Sequence, residues 1–143
     1  GTLADIRHRL HYVKQEPKNW DGFFGAMVMD RLRHEVAGQV EELRCDGYDV
    51  VFVSGRPDNY RSATEDWLRL YGFTDTRYPL LFMRRARDHR PDTVVKEEIL
   101  RTYFPDRSLI HTIFDDRRRL LEMWAREVPH ATIVNVGGED NDF

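Results

Sequence analysis

Asp49-Val50-Val51-Phe52-Val53-Ser54-Gly55-Arg56 carries four consecutive apolar residues straight into a Ser-Gly-Arg turn. An unbroken apolar run that ends in turn residues reads as a strand buried on both faces, which is the habit of parallel sheets. Three further runs follow it: Tyr78-Pro79-Leu80-Leu81-Phe82-Met83, Leu109-Ile110-His111-Thr112-Ile113-Phe114 and Ala131-Thr132-Ile133-Val134-Asn135-Val136. Helical spacing fills the gaps. Val28, Leu32, Val36, Val40 and Leu43 share one face, closed by Asp46-Gly47, and residues 63–70, 93–103 and 117–126 repeat the pattern. The alternation predicts an α/β fold, a Rossmann-like and mostly parallel sheet with helices on both faces.

Ligands of such sheets bind beyond the carboxyl ends of the strands. The residues there are polar: Ser54-Gly55-Arg56, Arg84-Arg85, Asp115-Asp116-Arg117 and Gly137-Gly138-Glu139-Asp140, the last opening an acidic tail expected at the surface. Residues 7–27, with Pro17, Asn19, Gly22 and Gly25, read as a loop-rich insertion for which Tyr12, Trp20, Phe23 and Phe24 are candidate anchors.

The 143 residues suit one domain, and a 41% hydrophobic content is enough for a packed core. With 22 basic against 25 acidic side chains, the net charge of -3 excludes a uniformly positive surface, so a nucleic acid would have to be gripped locally. The cluster Arg84, Arg85, Arg87, His89 and Arg90 is the candidate grip, or else a solvated loop; Arg118 and Arg119 read as a solvated helix face. The lone Cys45 fits a reducing, cytoplasmic setting, and no apolar run approaches the length of a membrane span. The six histidines show no metal spacing.

Adjacent carboxylates after a buried strand repel by about 4 kcal/mol at about 4 Å and an effective dielectric near 20. Asp115-Asp116 therefore calls for a cation such as Mg²⁺ or for hydrogen-bond donors; alternatively Asp116 caps the next helix and Asp115 pairs with an Arg. Ser54-Gly55-Arg56 can hold a phosphoryl oxygen through hydroxyl, backbone N–H and guanidinium, or can be a plain turn. Lys96 lies in the first turns of a helix, where the dipole disfavours a cation, while Asp92 and Thr93 are natural caps. A phosphate would explain Lys96, as would a salt bridge to Asp115 or Glu97.

Gly1-Thr2-Leu3-Ala4, Val53-Ser54-Gly55-Arg56, Val94-Val95-Lys96-Glu97-Glu98-Ile99, Asp115-Asp116-Arg117 and Glu122-Met123-Trp124 occur in that order. Together they resemble the haloacid-dehalogenase (HAD) phosphatases, and within them the 3'-phosphatase domains of phage polynucleotide kinase/phosphatase. The resemblance covers nearly the whole chain and implies one phosphatase domain over 1–143 with a minimal cap at 7–27. In that family Asp-x-Asp stands directly before Gly-Thr, so the first strand, the nucleophile and the general acid are expected ahead of Gly1.

The resemblance further implies that Ser54 and Lys96 hold the transferring phosphoryl group, with Thr2 grouped among the catalytic residues. Asp116 is the expected direct Mg²⁺ ligand and Asp115 its neighbour in the metal shell. Arg9, Gly55, Arg56, Arg84 and Asp92 are expected to shape the substrate pocket. The implied partner is a 3'-phosphorylated RNA or DNA end. The implied setting is end repair, with no membrane and with a fused or associated 5'-kinase module, since the chain has no Gly-x-x-x-x-Gly-Lys-Ser/Thr loop of its own. Other readings are a phosphatase of nucleotides or small phosphomonoesters, and a non-catalytic module that binds phosphorylated ends. Stacking of a base on Trp20, Phe23 and Phe24 stands beside their packing of a loop.

Overall fold

The computed structural model describes residues 1–73, 80–138 and 143. They group into two units, Leu3–Asp88 and His89–Phe143, the second also including Gly1–Thr2.

In the Leu3–Asp88 unit, β1 (Ala4–Asp5) pairs antiparallel with β2 (Arg31–Leu32), with helical turns between them. These are a 3₁₀ turn at Arg7–Arg9, α1 (His11–Lys14), α2 (Trp20–Gly25) and a 3₁₀ turn at Ala26–Met29. The stretch expected to be loop-rich is therefore largely helical. The Asn19 side chain caps α2 by accepting from the Gly22 N–H at 2.8 Å, and a Cβ on Gly22 would strike the Tyr12 ring.

The next helix, α3 (His34–Cys45), buries Val36, Ala37 and Val40. The expected stripe beginning at Val28 is corrected here: β2 takes up Leu32 in strand pairing, and Val28 is 62% exposed on the preceding turn. The stop at Asp46-Gly47 is as expected, because Gly47 adopts φ +96° and its N–H returns to the Arg44 carbonyl while Tyr48 N–H reaches Leu43.

A parallel βαβ element completes this unit: β3 (Phe52–Pro57), a 3₁₀ turn at Asp58–Tyr60, α4 (Arg61–Leu70) and β4 (Leu81–Arg84). The β3–β4 register runs Phe52↔Leu81, Val53↔Phe82, Ser54↔Met83 and then jumps to Pro57↔Arg84. Gly55 and Arg56 are thus pushed out of the ladder, and a local bulge of this kind re-aims side chains.

The second unit contains α5 (Asp92–Tyr103), a 3₁₀ turn at Arg107–Leu109, β5 (Thr112–Asp115), α6 (Arg118–Glu127) and β6 (Thr132–Asn135). β5 and β6 are parallel, with Asp115 opposite Asn135 at the carboxyl end. The core is Leu100, Leu120, Met123, Trp124 and Val128, against which Phe104, Ile110, Ile113, Ala131 and Ile133 pack.

The architecture is α/β, built on parallel strand pairs with intervening helices. The first three strands start two or three residues later than their apolar runs, and the fourth one residue later. Asp49–Val51 precede the ladder, which starts where Phe52 N–H meets the Leu80 carbonyl, and Leu109 is 80% exposed on a turn held by the Asp106 side chain. Burial on both faces holds mainly for β4; β3 is half-buried throughout, each strand having a single ladder neighbour among the described residues. The first two residues of the Tyr78 run and tail residues 139–142 lie outside the described residues.

Candidate active site

In the second unit the site grows from the carboxyl end of β5. Asp115 is its last residue and is 2% exposed. Its Oδ2 accepts from Lys96 Nζ and from Trp124 Nε1, both at 2.9 Å, and its Oδ1 accepts from the Asp116 N–H at 2.8 Å. Burial pushes this carboxyl up, but the Lys96 ammonium and the three donors outweigh it and hold Asp115 below the ordinary carboxylate range. Lys96 reaches it from the fifth position of α5, so a buried acid compensates the unfavourable dipole; Glu97 pairs with Arg101 instead.

Asp116 turns the other way. Its Oδ1 accepts from the Thr2 hydroxyl at 2.9 Å. The backbone is tight on both sides: a Cβ on Gly1 would run into the Asp116 carboxylate, and one on Gly137 into the Asp116 backbone carbonyl. Asp116 does not cap α6, whose start carries no side-chain cap. Asp92 likewise leaves α5 uncapped and accepts from Arg117 Nη1 at 2.7 Å, while the Arg117 guanidinium lies 4.1 Å from the centre of the Phe143 ring.

A second cluster is organised in the Leu3–Asp88 unit by Asp30, a residue the sequence reading passed over. Asp30 is 3% exposed, and its carboxylate gathers three side chains. Arg9 grips it with Nε and Nη2, both at 2.7 Å; Arg56 Nη2 binds at 3.1 Å and His8 Nε2 at 2.8 Å. Its backbone carbonyl accepts from Trp67 Nε1 at 2.9 Å. Arg9 is itself 2% exposed, with Nη1 on the Phe23 carbonyl and its guanidinium 4.2 Å from the Phe23 ring centre. Burial and the neighbouring Arg9 bring the Arg56 guanidinium down to about 10, against the pull of Asp30, so it stays charged at neutral pH.

The Ser54-Gly55-Arg56 bulge is fixed from both ends. Ser54 Oγ accepts from the Arg56 N–H at 3.1 Å, and Arg84 Nε donates to the Gly55 carbonyl at 2.8 Å. Arg84 Nη1 also holds the Asp88 carbonyl, and Asp58 accepts from the Ala86 N–H, so the loops after β3 and β4 are laced together. Arg87 there adopts φ +68°, a left-handed conformation uncommon for a side chain this long. Arg85, Arg87, His89 and Arg90 are exposed, with Arg90 on Glu98 at 2.6 Å.

Within one unit, then, the structure brings together Thr2, Lys96, Asp115 and Asp116, and separately Asp92 with Arg117. Within the other it joins Arg9 to Arg56, and Gly55 to Arg84. The sequence places Trp124 in a motif and on a helical face; its indole contact with Asp115 is a matter of tertiary packing. Among the described residues no group of three or more His, Cys, Asp or Glu side chains is gathered as a metal site, and no helix is long and apolar enough to cross a membrane.

A family model described as the phosphatase domain of the polynucleotide kinase PNKP matches residues 1–140. The chain belongs to this family. It is a phosphatase domain of the polynucleotide kinase type. It is 29% identical, over 137 residues, to a protein of Autographa californica nuclear polyhedrosis virus named as a bifunctional polynucleotide kinase/RNA ligase, a match covering 95% of this chain and 18% of that protein. Among solved structures, a chain of the Pnkp1/Rnl/Hen1 RNA repair complex matches with a TM-score of 0.77 at 28% identity, covering 98% of this chain and 40% of that one. A second structure of the Pnkp1/Rnl/Hen1 complex matches with a TM-score of 0.76 at 28% identity, over 98% and 43%. The chain thus spans less than half the length of these relatives.

Proposed function

We propose that this PNKP-type phosphatase domain is a Mg²⁺-dependent phosphomonoesterase that removes 3'-phosphates from nucleic-acid ends during repair. The observation that carries this reading is the paired acid cluster after β5, where one aspartate is buried under a lysine and an indole and its neighbour faces the Thr2 hydroxyl. The two acids have different work. Asp115 is fully engaged as an anchor for Lys96, whereas Asp116 presents a hard oxygen donor of the kind Mg²⁺ prefers. The donor set fits that ion, with Asp116 as ligand and Asp115 supporting it from behind. When bound, the ion would neutralise charge on the phosphate and the nucleophile.

The mechanism that the family implies is covalent: an aspartate attacks phosphorus and expels the 3'-oxygen, giving an aspartyl-phosphate. A second aspartate protonates that oxygen and then takes a proton from the water that hydrolyses the intermediate. Lys96 has three N–H donors, and its bond to Asp115 uses one, so it can also hold a phosphoryl oxygen. Ser54, Gly55 and Arg56 bind phosphoryl oxygens through hydroxyl, backbone N–H and guanidinium, which stabilises charge in the transition state. Arg9 and Arg84 shape the pocket indirectly, through Asp30 and the Gly55 carbonyl, and Asp92 acts through Arg117. Residues 1–143 act as one domain with residues 7–27 as its cap, alongside a fused or associated 5'-kinase module.

The test compares phosphate release with Mg²⁺ from a 3'-phosphorylated oligonucleotide, a 3'-mononucleotide and a 5'-phosphorylated strand. The 3'-phosphorylated strand should be turned over best. Equal or faster turnover of the mononucleotide would move the assignment to a small-molecule phosphatase, and binding without turnover of any of the three would mean an end-recognition module.

A further inference from the structure

Three aromatic rings form a continuous ladder beside the Arg56 bulge. Trp20 and Phe24 are near parallel, with centroids 6.0 Å apart and planes inclined by 23°, and Phe24 meets Tyr60 at 5.4 Å and 35°. Phe23, one residue from Phe24, is buried and packs edge-on against both Trp20 and Phe24, which fixes the ladder from beneath. Phe23 also carries the Arg9 guanidinium on its ring, so the support of the ladder and the support of Arg56 meet on one side chain.

The Trp20 end of the ladder faces water, while Phe24 and Tyr60 are half-buried. Trp20 is 43% exposed, while the other two tryptophans, Trp67 and Trp124, are 7% and 5% exposed with their indole N–H groups bonded. Leaving the largest apolar side chain in water is costly for a residue that merely anchors a loop, since Phe23 already does that. The far end of the ladder is tied to the phosphate-binding turn. Tyr60 follows Arg56 by four residues, its carbonyl accepts from Thr64 Oγ1 at 2.9 Å, and Thr64 Oγ1 lies 3.4 Å from Arg56 Nη1. A cation marks the exposed end, where Lys18 Nζ lies 5.9 Å from the Trp20 ring centre. An exposed π-face beside a positive group matches a strand end, where a base adjoins a phosphate.

We propose that Trp20, backed by Phe24 and Tyr60, is a stacking platform for an unpaired base next to the strand end whose phosphate Arg56 receives. This rests on the function proposed above and names its substrate more narrowly, as a single-stranded end. Stacking tolerates any base, so the platform gives affinity for a polynucleotide without sequence preference.

The test is a cycle of two changes, one in the protein and one in the strand. A labelled single-stranded oligonucleotide with a 3'-hydroxyl is titrated by fluorescence anisotropy against the same strand carrying abasic sites at its last two positions. Charge is kept and the stacking faces are removed. The wild-type protein should bind the intact strand about tenfold more tightly, and Trp20→Ala should reduce that preference to near unity. Trp20→Phe should restore most of it, and the intact strand should quench the one exposed tryptophan. Equal binding of both strands by the wild-type protein would overturn the platform, and so would an undiminished preference in Trp20→Ala. The abasic comparison on the wild-type protein stands even if the Ala variant folds poorly. Turnover of a 3'-phosphorylated strand, measured separately, keeps the readings apart: turnover without base preference sinks the platform alone, and base preference without turnover sinks the phosphatase reading alone.

Discussion

Lys96 and Asp115 lie 2.9 Å apart with side chains only 10% and 3% exposed, so each is the main reason the other can stay charged out of water. Trp124 and the Asp116 N–H complete the shell of the acid. Breaking such a pair from one side leaves an uncompensated charge and costs about 3–5 kcal/mol. Lys96→Met should lower the unfolding free energy by about 3 kcal/mol, near the low end because two donors remain. Urea titration checks this, and an unchanged midpoint would mean that the pair carries no structural weight. Phosphatase turnover should fall by about a hundredfold or more, the scale of losing one positioned charge.

Asp30 should prove as important as any residue of the acid pair. Asp30→Asn keeps the shape but leaves Arg9 and Arg56 without an anion between them. A loss of about 3 kcal/mol is expected, by the same one-sided argument. Arg56→Lys separates position from charge, because an ammonium cannot reproduce the fork that reaches Asp30 and Thr64. It should lower the thermal midpoint less than Asp30→Asn does, while raising KM for a 3'-phosphorylated oligonucleotide by about tenfold. Wild-type kinetics in this variant would remove Arg56 from the substrate site.

Asp116→Ala should abolish Mg²⁺-dependent phosphate release while far-ultraviolet circular dichroism stays that of the folded protein. Normal activity would refute its metal role. Gly137→Ala offers an independent probe, since the added methyl meets the Asp116 backbone carbonyl rather than a yielding side chain. Relief by a backbone shift should cost about 1–3 kcal/mol and reduce turnover along with stability.

Acid should weaken one surface contact. The bidentate hydrogen bonding from Arg7 holds Asp5 at about 2, against 3.8 for the unperturbed group. The folded value is the lower one, so its contribution is fully present above about pH 4 and is lost as pH falls towards 2. The wild-type protein should unfold in slightly less urea at pH 2.5 than at pH 5, and part of that difference should vanish in Asp5→Asn. Because Arg7 is 84% exposed, 0.5 M salt should shrink the effect, and an identical pH response in the variant would contradict the assignment.

The apolar runs announced the strands, though each ladder starts later than its run, because a strand is defined by where its partner begins as well as by its own residues. Phe52 starts β3 because Leu80 and Leu81 are there to meet it. Val28 fitted the periodicity of α3 and yet lies outside it, since pairing with β1 claims Arg31 and Leu32 first. Among the site residues, Ser54, Asp115 and Asp116 stood out because polar groups after buried runs are costly without a purpose, and Lys96 because a cation early in a helix opposes the dipole. Asp30 did not, because one acid between an exposed Met29 and Arg31 has no local pattern to mark it.

The apolar runs and helical faces were enough by themselves for an α/β fold, and the motif residues for a resemblance to polynucleotide kinase phosphatase domains, for those signals are local and survive in one dimension. Only the tertiary structure decided how the charges are shared: Asp115 beneath Lys96 and Trp124, Asp116 beside Thr2, and Asp30 between Arg9 and Arg56. These partners stand from 9 to 114 residues apart in the chain, and nothing in a residue's own neighbourhood reports which distant group the fold will bring to it.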